Sequence, residues 1–137
     1  MTITRHGGQA PWESRYGYCP VVVAGGWAVT AGTTATGPDG VLHPGDPYGQ
    51  TRAAFTIALE SLRAAGVSAD RVVRTRMYVT DIADQAQVGR AHAELFGATP
   101  PVSTMVQVSA LADPAHLVEV EVEAYLSRPD AVGDCAP

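Results

Sequence analysis

The chain has 137 residues, 46% of them hydrophobic and 17% charged, a balance that suits one globular domain and excludes a disordered chain. Its nine basic residues, all arginine and nowhere clustered, face fourteen acidic ones; the net charge of −5 disfavours binding to nucleic-acid phosphates. No apolar run approaches the roughly 20 residues that span a bilayer, and the opening MTITRHGGQAPWE lacks the apolar centre of a signal peptide, so a cytoplasmic protein without a membrane partner is expected. Cys19 and Cys135 form no CxxC motif or Cys/His cluster, so neither a disulfide framework nor a metal site is expected.

In chain order, residues 1–17 are polar and rich in Gly and Pro, and read as an N-terminal arm. VVVAGGWAVTAG, from Val21 to Gly32, predicts two short strands broken at Gly25-Gly26, a dipeptide suited to a tight hairpin. Thr33 to Gly49 predicts a long loop. A helix is expected from about Tyr48 to Ala65, with Ala54, Phe55, Ala58, Leu59 and Leu62 forming one apolar stripe and Gly66 where a C-terminal cap belongs. VVRTRMYVTDI, Val72 to Ile82, predicts a strand. A second helix is expected from about Asp84 to Phe96, capped by Asp81 or Asp84 and ended by Gly97. Pro100-Pro101 then forces an extended start to VSTMVQVSAL. ADPAH turns the chain into a last strand, and 128–137 reads as a flexible tail. The division is thus an arm at 1–17, a single domain at 18–127 and a tail.

The order β-β-α-β-α-β-β leaves two helices for one sheet, and the simplest α+β architecture stacks both on one face. The last strand, LVEVEVEAYL, shows which face. Val118, Val120, Val122 and Ala124 alternate with Glu119, Glu121, Glu123 and Tyr125, so the valines belong under the helices and the glutamates on the open side. Arg74, Arg76 and Tyr78 also share one face of their strand, and can pair with the glutamates if that face is the open one. Such a face is either solvated, its ion pairs contributing little, or a subunit interface with a polar cleft. Tyr78, Tyr125 and Met105 are large for a solvated face and favour the interface.

Three segments, VVRTRMYVTDI, VGRAHAELFG and PPVSTMVQVSALADPAHLVEVEVEAYL, give the chain a resemblance to the Rid family of reactive-intermediate deaminases, also called YjgF-like, over about residues 17–127. The resemblance implies a chorismate-mutase-like sheet with two helices on one face. It also implies a homotrimer around a central barrel, with small-molecule sites in clefts between subunits. The best-known members hydrolyse enamines and imines made by pyridoxal-phosphate enzymes, releasing ammonia and a 2-keto acid, with no metal or organic cofactor. Carried over by position, the family's acid–base Glu is Glu121, and its pocket-shaping Tyr and Gly are Tyr18 and Gly32. Thr33 and Thr34 follow Gly32 and could line the pocket. The family pattern Pro-x-Arg-Ser, whose Arg clamps the substrate carboxylate, reads here Pro101, Val102, Ser103, Thr104. Ser103 replaces a charged bidentate contact with a neutral hydroxyl. Gly89 stands where many deaminating members carry Asn.

Three functions stay open on this reading. One is an enamine or imine hydrolase whose substrate is not the usual 2-imino acid, with Glu121 handling water, Tyr18, Gly32, Thr33 and Ser103 holding the substrate, and Arg76 supplying part of the missing charge. The second is a non-catalytic trimer that binds a metabolite. The third is an enzyme of cyclisation or condensation using the same cleft. Some family members are assigned ribonuclease activity, which the net charge opposes here. Glu119 and Glu123 are expected to be structural, tied to Arg74 or Arg76 or left in solvent. Glu121 is expected to project into the cleft near Ser103 and Tyr18. His92, in the second helix, and Trp12 and Glu13, in the arm, are further candidates for the cleft; His43 and His116 lie in loops without metal-ligand partners.

Overall fold

The alternation from Val118 to Tyr125 organises the sheet. In the computed structural model, which describes residues 2–126, this strand is central, with Val118, Val120, Val122 and Ala124 at most 1% exposed. The expected tail at 128–137, with Cys135, lies outside the described residues.

The elements run β1 (Ile3–His6), α1 (Pro11–Tyr16), β2 (Val21–Ala24), β3 (Trp27–Thr30), β4 (Thr33–Thr34), β5 (Thr36–Gly37), β6 (Gly40–Val41), α2 (Pro47–Ala64), β7 (Val72–Val79), α3 (Gln85–Phe96), β8 (Val102–Gln107) and β9 (Val118–Tyr125). The main sheet has the order β1-β2-β3-β9-β7-β8, with β4 also pairing β9; β7 and β8 are parallel and the remaining pairs antiparallel. The arm is therefore more structured than its composition suggests: β1 adds an edge strand against β2, and α1 follows. The long loop also holds structure, since β5 and β6 form a separate hairpin.

Helix α2 begins where its chemistry directs. Asp46 is the N-cap and accepts from the Gly49 amide at 3.0 Å, and Pro47 takes the first turn, where a missing N–H costs nothing. Ala54, Phe55, Ala58 and Leu62 of its stripe are buried, and Leu59 packs against them from a half-buried position. The helix stops at Gly66, whose φ of +86° only glycine adopts cheaply, with the Val67 amide donating back to Leu62 at 2.9 Å. Gln50, also fully buried, sends Nε2 to the Ala115 carbonyl at 3.0 Å and accepts from the Leu117 amide at 2.8 Å, pinning the turn before β9 to α2. Asp81 caps a 3-10 turn at Ile82–Asp84 rather than α3 itself.

Both long helices lie on the valine side of the sheet, α2 against β9 and α3 against α2. Phe55, Phe96 and His92 meet edge-on or tilted between them, ring centroids 4.8–5.5 Å apart. Among the described residues no helix covers the opposite face.

Candidate functional site

On the open face the register sets Arg74 opposite Glu123, Arg76 opposite Glu121 and Tyr78 opposite Glu119. The guanidinium of Arg76 spans two carboxylates, 2.9 Å from Glu123 and 3.6 Å from Glu121, while Arg74 Nε lies 3.4 Å from Glu123. Tyr78 hydrogen-bonds to Glu121, which with burial raises its phenol above the usual value. Glu121 is thus held from two sides. Arg76 is committed to carboxylates. Among the apolar groups on this face, Trp27 and Tyr125 stack edge to face at 5.3 Å and are 48% and 47% exposed, with Val29, Val102 and Val106 also open. Met105 is not among them. It pairs with Met77, whose other neighbour is the buried Val120, so it belongs to the helix side and packs against the core. The parallel partner β8 decides this, and the sequence alone does not reveal it.

Glu119 stands apart from its neighbours. Strand β4 sets Thr34 opposite it, and its carboxylate lies so close to Gly32 that a Cβ there would displace it. Glu119 is half-buried, and desolvation raises its pKa, with the charge of Glu121 adding to the effect and His116 opposing it. No arginine ion pair of Glu119 is present among the described residues. The expectation that it is tied to arginine or left in solvent is therefore corrected. The Tyr18 hydroxyl is raised above its usual pKa by burial first and then by the charges of Glu13 and Glu119. His116, nearly buried, bonds through Nε2 to Thr36 Oγ1 at 3.0 Å, and Thr36 to Thr34 at 2.9 Å.

Beside Glu119, Tyr18, Gly32 and Thr33 line one cavity of about 650 Å³ together with Trp12, Glu13 and Ile57. Helix α1 holds Trp12 and Glu13 there, and Glu13 accepts from the amides of Gly8 and Ala10 at 2.8 and 3.2 Å, which folds the arm back on itself. Thr33 donates to the Ala31 carbonyl at 3.2 Å. Six of the residues singled out from sequence, Trp12, Glu13, Tyr18, Gly32, Thr33 and Thr34, therefore line one cavity.

Ser103 is not with them. It pairs with Thr75, which the register places beside Val122 on the helix side. Its hydroxyl accepts from Thr75 Oγ1 at 2.8 Å, and Thr75 meets His92 Nε2 at 2.7 Å. Within one chain Glu121 and Ser103 therefore face opposite ways. Thr75 escaped the sequence reading, while Glu119 was expected only to be structural and His116 only to be a loop residue without metal-ligand partners. The alternation that put Glu119 in a row of three glutamates hid it, and only the β4 pairing distinguishes it. Among the described residues no group of three His, Cys, Asp or Glu side chains could hold a metal ion, and no helix is long and apolar enough to cross a membrane.

Comparison with known proteins gives a consistent picture. The family described as Endoribonuclease L-PSP matches residues 8–126. A protein of Streptomyces coelicolor is 42% identical over 122 residues, covering 89% of this chain and 91% of that one. A RutC family protein of Pyrococcus horikoshii is 33% identical over 109 residues, covering 79% and 86%. Among solved structures, a Mycobacterium tuberculosis member of the YjgF/YER057c/UK114 family superposes with a TM-score of 0.83 at 41% identity, covering 91% of this chain and 100% of that one. A Rid-family protein of Yersinia pestis gives 0.74 at 32% identity, covering 80% and 87%.

Proposed function

The chain belongs to the endoribonuclease L-PSP family, known also as the YjgF, RutC or Rid family, and on that premise we propose that it hydrolyses small enamines or imines in clefts between copies of itself. The observation that carries this reading is the open face. Trp27, Val29, Tyr125, Val102 and Val106 are exposed on the side that also holds the glutamates, and large apolar side chains around a polar centre suit a subunit interface. A homotrimer, in which Ser103 of one copy approaches Glu121 of the next, fits the opposite facing of these two residues.

The chemistry needs a proton donor and a proton acceptor on two sides of a C=N bond. Burial favours the neutral form of Glu119, so this carboxyl suits donation to the imine nitrogen. Glu121, oriented by Arg76 and Tyr78, accepts a proton from water as its oxygen bonds to the imine carbon. In the resulting carbinolamine Glu121 returns the water proton to the amino nitrogen, the C–N bond breaks to release ammonia, and the hydroxyl proton passes to Glu119 as the carbonyl forms, which restores both carboxyl groups. Tyr18, Gly32, Thr33 and Ser103 would hold the substrate. Arg76 would act on Glu121 more than on the substrate, since two carboxylates already occupy it. The reading calls for no metal or organic cofactor. Cleavage of RNA is opposed by the net charge of −5.

A second reading is favoured by that same engagement of Glu121: a trimer that binds a metabolite without turning it over. Ammonia release from freshly generated 2-aminoacrylate, and from an enamine lacking a carboxylate, separates the two. Loss of turnover in Glu121→Gln with the assembly intact supports hydrolysis. Release no faster than in buffer for the unaltered protein on both substrates contradicts hydrolysis and leaves the binding reading.

A further inference from the structure

We infer that Ser103, Thr75 and His92 form a hydroxyl-tipped relay that selects an uncharged carbonyl or imine ligand, with Thr75 and His92 as positioning residues. The inference rests on the reading of Ser103 as part of the cleft and deepens it by naming the ligand class.

The three side chains come from three elements. Ser103 lies on β8, Thr75 on β7 and His92 on α3, and the parallel pairing of β7 with β8 puts the two hydroxyls side by side. Thr75 is fully buried, His92 half-buried and Ser103 exposed, so the chain of bonds runs from the interior to the surface. Thr75 has one hydroxyl proton, and the bond to Ser103 Oγ at 2.8 Å uses it. Its contact with His92 Nε2 at 2.7 Å must therefore be donated by the imidazole. That fixes His92 as the Nε2–H tautomer. Burial between Phe55 and Phe96 lowers the pKa of the ring and keeps it neutral.

The direction of the relay has a consequence for Ser103. Its oxygen already receives a hydrogen bond from Thr75, so its own O–H is left to donate outward. A hydroxyl supplied with a proton from behind is a poor nucleophile, because nothing takes its hydrogen away, but a good donor to a carbonyl oxygen or imine nitrogen. Charge points the same way. The relay carries no cation. On the opposite face Arg74 and Arg76 are both paired with Glu121 and Glu123, two cations against two carboxylates, and leave no excess of positive charge. A carboxylate would meet neither a free guanidinium nor a positive field there, whereas a neutral acceptor loses nothing.

The test uses the intact, isotopically labelled protein with pyruvamide and pyruvate as probes, followed by nuclear magnetic resonance. Long-range proton–nitrogen correlation should show the Nε2–H tautomer of His92, and an Nδ1–H tautomer overturns the relay. Pyruvamide should shift the Ser103 signal and bind at least about fivefold more tightly than pyruvate; equal or tighter pyruvate binding, or no shift at Ser103, overturns the selectivity. Ser103→Ala and Thr75→Val should each weaken pyruvamide about fivefold, and Thr75→Ser should restore it, a rescue that a merely structural threonine would not give. Shifts at Glu121 and Tyr18 without Ser103 would remove this inference and leave the proposed cleft standing. Shifts at Ser103 and His92 alone would keep the inference and remove the cleft.

Discussion

Val120 and Glu121 are adjacent in the sequence and face opposite ways across β9. Val120 is fully enclosed by Met77 on the neighbouring strand and by the helices. Glu121 sits in a ladder of ion pairs bordered by half-exposed Trp27 and Tyr125. One face is complete within a single chain, and its residues are chosen for packing. The other has paired its charges but left its large apolar groups open. The difference teaches that one side of the strand is specified by packing and the other by charge pairing, with alternation as the device that separates them.

The sharpest way to break the comparison is to exchange polarity. Val120→Asp, which would bury an unpaired carboxylate under α2, should cost more than about 4 kcal/mol and yield unfolded or insoluble protein, as judged by circular dichroism and denaturant melting. Glu123→Val, on the other face, should leave a folded chain with an ordinary melt. Next in size is Trp27→Glu. It should keep native secondary structure while lowering the molar mass in light scattering, because Trp27 is half-exposed on the open side beside Tyr125. An unchanged mass would remove Trp27 from the interface.

A smaller effect comes from pH. Burial raises the Glu119 pKa above its usual 4.5, so the folded chain holds this proton more tightly than the unfolded one. The associated stability is fully present below the unfolded value and is lost as pH rises through the raised folded value. Glu119→Gln should therefore melt higher than the unaltered protein at about pH 7, with the difference shrinking towards zero at about pH 4. A lower melt at neutral pH would mean that the carboxylate is needed in its charged form.

Much of the fold is legible in the sequence because its signals are local. The stripe from Ala54 to Leu62, the glycines that break the hairpin and the alternation of β9 each depend on a few neighbouring residues. What escapes is set by pairing between distant segments. Ile3–His6 is a short polar run, and it becomes a strand only because β2 offers it an edge. Met105 changes sides once β8 is seen to run parallel to β7. Glu119 differs from Glu121 through Gly32 and Thr34 beside it and through the lack of an arginine partner, and the bonds from His92 through Thr75 to Ser103 need β7, β8 and α3 in place. Tyr18 and Gly32 come from the family resemblance and Thr33 from its place after Gly32; the structure places them around one cavity, and their roles belong to the proposal.

The central claim is that the open face is half of a surface that a second and third copy complete. The most direct measurement is the molar mass of the purified protein at micromolar concentration by light scattering. The account predicts about three times the 14.3 kDa chain. A stable species of one chain mass would contradict the interface and the clefts that depend on it.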